Sequence, residues 1–217
     1  MYFLATVRDF HMKRTLSKFT TLLVVVFVSM SALAQSPKHV LIDTDPGVDD
    51  AMALLLALNS PELKVEAISV VPGNVDSAQG LENALKIVSL ANRCDIPVAR
   101  GAHHPLNQKL ITAQFWHGTN GLAGVELPPS HCKADPHFGP DLIIETIHKY
   151  PHEITLIPVG PLTNIALAVS KDPSIVALTN DIIIMGGSIT SMAPPKPTSI
   201  TTPKPPPSFS TPDGWSP

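Results

Sequence analysis

The chain has 217 residues, 44% of them hydrophobic, with 15 Lys+Arg against 18 Asp+Glu and a pI near 6.3. That length sets one domain with a sizeable core as the expectation, and a formal charge of -3 supplies no basic field for a polyanion, which argues against a nucleic-acid partner. Two cysteines are too few for a small scaffold built on disulfides.

In chain order, the first feature is an address. Met12-Lys13-Arg14-Thr15-Leu16-Ser17-Lys18 is basic, 22–28 is apolar, and Ser29-Met30-Ser31-Ala32-Leu33-Ala34 ends in small residues. These are the three parts of a secretory signal, with cleavage expected after Ala34. Residues 1–11 precede a better start at Met12 and read as a spurious extension. The apolar run is shorter than the ~20 residues of a membrane span, so the expectation is a secreted or periplasmic protein with no stable membrane anchor. Removing 1–34 leaves 11 bases against 17 acids, near -6. In an oxidising compartment Cys94 and Cys132 could bridge or remain two unpaired loop residues, and the sequence leaves both open.

Short β-branched runs then alternate with helical patterns. Strands are expected over 39–43, 64–71, 97–100, 154–158 and 181–185, and helices over 49–58, 76–91, 141–149 and 162–170. Near-continuous apolar strands such as Ile182-Ile183-Ile184-Met185, alternating with helices, predict an α/β domain: a mostly parallel sheet with helices on both faces. Ligands bind such sheets beyond the carboxyl ends of the strands. There the sequence puts Asp43-Thr44-Asp45-Pro46-Gly47, Pro72-Gly73-Asn74, Val159-Gly160 and Gly186-Gly187.

Asp43, Asp45, Asp49 and Asp50 crowd into eight residues ahead of an apolar helix. Capping of that helix explains one aspartate, since the helix dipole favours anions in its first turn. It does not explain four. Like charges this close raise one another's pKa unless a cation lies among them, and carboxylate oxygens suit Ca²⁺ or Mg²⁺ better than zinc. His117 reads either as a loop histidine or as a ligand contact. Met185 is core by default, and His103 and His104 read as solvated. His131 and His137 flank Cys132, but their spacing is a weak metal signal.

The stretch Val40-Leu41-Ile42-Asp43-Thr44-Asp45-Pro46-Gly47-Val48-Asp49-Asp50-Ala51 resembles the signature of the inosine-uridine preferring nucleoside hydrolases. The resemblance continues through Val71-Pro72-Gly73-Asn74, Trp116-His117-Gly118, Pro158-Val159-Gly160-Pro161-Leu162-Thr163-Asn164 and Met185-Gly186-Gly187, so a partial domain over about 38–190 is expected. It implies a Ca²⁺ held by Asp45, Asp50 and the backbone carbonyl of Val159. It makes Asp45 the base that takes a proton from the attacking water, and gives Asp49 the ribose hydroxyls with Asn74 nearby. His117 and Met185 become substrate contacts, and Asp43 becomes the carboxylate that fixes the loop. Metal-assisted attack on an oxocarbenium-like sugar would release a free base and ribose from a ribonucleoside. Related enzymes are often dimers or tetramers, so a homo-oligomer of the intact form is expected.

Past Ser188 the likeness stops, and 191–217 becomes rich in Pro, Thr and Ser, with nine prolines from Met192 onward. An overlapping reading frame across Pro195 to Lys204 permits Glu-Ala-Asn-Ile-Tyr-Asn-Asp-Pro-Glu, which the family carries at this place. The tail therefore reads as frameshifted and disordered, against the alternative of a genuine Pro/Thr-rich linker. The family's later His-Asp pair is unassigned in this sequence, so the chain as written is expected to be impaired or inactive. Two other functions compete: an aspartate-nucleophile (HAD-like) phosphatase, from Asp43-Thr44-Asp45, and a non-catalytic nucleoside or ribose binder.

Overall fold

The computed structural model describes residues 36–186. The expected signal segment, Gly187 and the tail 191–217 lie outside those residues. Five strands form one sheet: β1 (Lys38–Thr44), β2 (Leu63–Val70), β3 (Val98–Arg100), β4 (Thr155–Pro158) and β5 (Asp181–Ile182). Their order is β3-β2-β1-β4-β5, and every neighbouring pair is parallel. The helices are α1 (Val48–Asn59), α2 (Ser77–Leu90), α3 (Gln114–His117), α4 (Gly139–Lys149), α5 (Thr163–Lys171) and α6 (Ile175–Leu178). The expected elements are all present. The short α3 and α6 were not expected, because a four-residue helix is too brief to show a periodic pattern.

Strand alternation explains the layering. Val40 and Ile42 of β1 join Leu54 and Leu58 of α1 and Ala84, Ile87 and Val88 of α2 in one core. Leu41, between them, points to the other face and packs with Leu142, Ile143 and Ile147 of α4 and Ile165 of α5. A strand buried on both faces must read as a continuous apolar run, as β1 does. Leu41 has no exposed surface, and burial of that kind stabilises by about 1.5–3 kcal/mol per large aliphatic side chain.

The β1–β2 pairing carries one irregularity. Val40 pairs with Val65, but Leu41 pairs with Ala67, so Glu66 is an extra residue. Such a bulge shifts the facing of everything after it by one position. Accordingly Val65 and Ile68 share one core while Ala67 joins the other.

Connections run from β1 outward to β3 and then return to β4 on the opposite side of β1. The switch point lies between β1 and β4, where a crevice opens beyond the strand ends. The Asp43–Gly47 turn and the Val159–Gly160 turn meet there. Beyond β5 the ladder bonds continue, with Ile183 N–H to the Leu156 carbonyl at 2.9 Å and Met185 N–H to the Pro158 carbonyl at 3.0 Å. The expected strand therefore keeps its direction to Met185. Cys94 and Cys132 form a disulfide across 38 residues, joining the segment after α2 to the long loop between β3 and α4.

Candidate active site

The aspartates have different jobs. Asp50, in the first turn of α1, accepts from Gly47 N–H at 3.2 Å and from Thr44 Oγ1 at 2.7 Å. Helix capping thus accounts for Asp50 alone. Asp49 points outward, with 60% of its side chain exposed. Asp43 is fully buried, and its Oδ1 accepts from Ser69 Oγ and from Asn164 Nδ2, the latter at 2.8 Å, while its Oδ2 has no partner among the described residues. Asp45 is buried too, and its Oδ2 accepts from Asn74 N–H at 2.8 Å.

Asn74 joins two of these groups. Its side-chain amide donates to the Asp45 carbonyl at 3.0 Å and to Asp50 Oδ2 at 2.9 Å. Both amide hydrogens are therefore committed to the aspartate turn, leaving only its oxygen for a ligand. Glycines on either side shape the Asp45 carboxyl. A Cβ at Gly73 would lie 2.0 Å from Asp45 Oδ2, and one at Gly160 would lie 2.5 Å from Oδ1. Glycine at the ends of β2 and β4 is what lets the carboxyl sit in this crevice.

Burial pushes the Asp43 carboxyl up to about 7, against the pull of Ser69 and Asn164. Burial and then the neighbouring Asp50 charge push Asp45 up to about 8, against the Asn74 N–H. Burial also holds Asp50 above the usual carboxylate range. Three buried carboxyls with no cationic side chain hydrogen-bonded to them among the described residues favour protonation until a cation joins them.

The donor set fits a hard divalent ion. It offers carboxylate oxygens from Asp45 and Asp50 and the Val159 carbonyl on the same rim, while Asp43, Asp45 and Asp50 do not bring one oxygen each within 4.8 Å of one another. Among the described residues no donor bonds to that carbonyl, while Val159 N–H is held by the Asp43 carbonyl at 2.8 Å.

His117, half-buried at the end of α3, accepts from Val48 N–H on Nδ1 at 3.2 Å. In the neutral ring this puts the hydrogen on Nε2. The 3.8 Å approach of the same Nδ1 to Asp49 is accordingly a close contact and not a hydrogen bond. Met185 is 56% exposed and lies on the rim through its backbone bond to Pro158. Default core placement does not describe it. Elsewhere, His131 bonds Ser89 Oγ through Nδ1 at 2.6 Å, and both sulfurs beside it are in the disulfide, which leaves no thiolate for a metal.

Three site residues were missed from sequence. Thr44, Ser69 and Asn164 touch the aspartates directly. Buried polar residues at strand ends or in a first helical turn were the available signal. The phosphatase alternative fails on the same geometry, since its nucleophile would be Asp43, which has no exposed surface.

The fold and rim together define a doubly wound α/β domain with an acidic, cation-seeking switch point. The sequence model of the family "Inosine-uridine preferring nucleoside hydrolase" matches residues 40–202, and the chain belongs to that family. It is 43% identical over 153 residues to probable uridine nucleosidase 2 of Arabidopsis thaliana, covering 70% of this chain and 48% of that protein. It is 42% identical over 151 residues to the pyrimidine-specific ribonucleoside hydrolase RihA of Photobacterium profundum, covering 70% and 49%. Among solved structures, a plant nucleoside hydrolase, PpNRh1, aligns with a TM-score of 0.67 at 44% identity, covering 70% of this chain and 48% of that one. A purine-preferring ribonucleoside hydrolase from Gardnerella vaginalis aligns at 0.66 and 37%, covering 70% and 49%. The chain spans about half the length of these relatives.

Proposed function

We propose that the rim binds Ca²⁺ and a ribonucleoside and serves hydrolysis of the N-glycosidic bond to free base and ribose. The observation that carries this reading is the trio of buried carboxyls at the switch point of a family member, with Asp45 cradled between Gly73 and Gly160. A divalent cation held by Asp45, Asp50 and the Val159 carbonyl would supply charge to ionise the carboxyls and acidify a water.

The remaining roles belong to the chain. Asp45, once ionised, accepts the proton of the water that attacks the anomeric carbon as the bond from that carbon to the base breaks. Asp49, exposed at the mouth, accepts hydrogen bonds from ribose hydroxyls. His117 offers its Nε2–H, and Asn74 its one free oxygen. Asp43 stays behind as a fixed wall tied to Ser69 and Asn164. The relatives named above include pyrimidine-specific and purine-preferring enzymes, so the base is left unspecified.

Export fits the same reading, because a paired Cys94–Cys132 belongs in an oxidising compartment. No helix among the described residues is long and apolar enough to cross a membrane.

The test is calorimetric titration of the 217-residue chain with Ca²⁺, then with inosine and uridine, alongside ribose release with and without a chelator. Calcium-dependent nucleoside binding that Asp45→Ala removes supports the site, and turnover supports the enzyme. Binding without turnover selects the non-catalytic binder. Indifference to calcium in every measurement overturns the proposal.

A further inference from the structure

Asn83 is buried in the middle of α2, with 1% of its surface exposed. Its amide serves neither its own helix backbone nor the carboxylates. Nδ2 donates to the Pro46 carbonyl at 3.2 Å and to the Asn120 carbonyl at 2.9 Å, and Oδ1 accepts from Gln79 Nε2 at 3.0 Å. One partner lies in the aspartate turn and the other in the loop that carries His117.

That loop is internally tied. Ala123 N–H reaches the His117 carbonyl at 2.7 Å, and Asn120 Oδ1 accepts from Leu122 and Gly124 N–H, each at 3.0 Å. Gly121, at φ +79°, lies against the bridge: a Cβ there would stand 3.0 Å from Asn83 Nδ2 and 3.2 Å from the Pro46 carbonyl. Segment 117–125 is thus tied within itself, and it is joined to the aspartate turn and the start of α1 by the Asn83 bridge and by Val48 N–H on His117. The aspartate turn has further supports of its own in Thr44 and Asn74.

We propose that Asn83 is a positioning residue that sets the His117 loop at the correct distance from the aspartates, controlling nucleoside binding without controlling the cation. The consequence for substrate rests on the nucleoside reading above; the effect on the loop does not.

Asn83→Asp tests it, because the size and the acceptor survive while an oxygen now faces two carbonyls. Amide exchange of the 217-residue chain should accelerate by roughly tenfold or more over 117–125 and stay unchanged over the aspartate turn, as expected for loss of a buried donor. Calorimetry should show inosine or uridine binding weakened by about tenfold, with Ca²⁺ affinity within about twofold of the parent. Unchanged exchange over 117–125, or calcium and nucleoside affinities falling in parallel, overturns the proposal. If the parent binds no nucleoside, the functional reading fails, while exchange alone still decides the loop role. Should Asn83→Asp not fold, Asn83→Ser removes the reach without adding charge and carries the same readouts.

Discussion

Asn74 grips Asp45 at both ends, giving its backbone N–H to the carboxylate and its side-chain amide to the carbonyl. Because the same amide also holds Asp50, one residue fixes the separation of the two carboxylates best placed to take a cation. Asn74→Ala should therefore lower calcium affinity by about 10–100-fold, the usual cost of removing a partner that orients metal ligands. Calcium titration by calorimetry checks it, and an unchanged affinity would show that the turn holds itself.

Gly73→Ala and Gly160→Ala each place a methyl where the Asp45 carboxyl now lies. Each should abolish cation binding through displacement of Asp45, although neither touches a charge. Retained affinity in both would mean that Asp45 is not a ligand.

The buried Asp43 carboxyl makes stability depend on pH in a chosen direction. An aspartate in the unfolded chain titrates near 3.9, and in the fold near 7. The folded protein binds the proton more tightly, so this contribution is complete below about 4 and is lost as pH rises through about 7. Asp43→Asn cannot lose a proton. In chelator, its unfolding free energy relative to the parent should rise between pH 5 and pH 8, by a change on the order of a few kcal/mol at most, read from denaturant unfolding at each pH. A gap that stays flat across that range counts against a buried neutral Asp43.

The Cys94–Cys132 bridge closes a loop of 38 residues. By the chain-entropy relation its removal in Cys94→Ser plus Cys132→Ser should destabilise by about 3–5 kcal/mol. Calcium affinity should not change, because among the described residues neither cysteine hydrogen-bonds to Asp43, Asp45 or Asp50. Denaturant unfolding and calorimetry together separate these effects.

Leu41→Ala leaves the site residues in place but empties the second core, and should cost about 2–5 kcal/mol in denaturant unfolding.

Much of this was legible in the sequence because it is local. The continuous apolar run of β1, the turn glycines and four aspartates in eight residues each carry their meaning within a short window. Which aspartate caps the helix and which stands exposed was not legible from spacing, since Asp49 and Asp50 are neighbours in sequence and opposites in exposure. Asn164 meets Asp43 across 121 positions, and Asn83 meets its partners across 37 in each direction. Only the folded sheet creates such contacts. The cysteine pair was undecided for the same reason, until the geometry of α2 and the long loop brought the sulfurs together.

The irregular step at Glu66 lies in the middle of its strand, three residues before Ser69, and it sets which residue the Asp43 carboxyl meets. With the inserted residue, Asp43 stands across from Ser69. Counted without it, the residue across would be Ile68, and a branched hydrocarbon would face the acid in place of a hydroxyl. Deleting Glu66, three residues before Ser69, would straighten the ladder and leave the alcohol across from the acid, whereas sliding the strand past it by one place would set a hydrocarbon there instead.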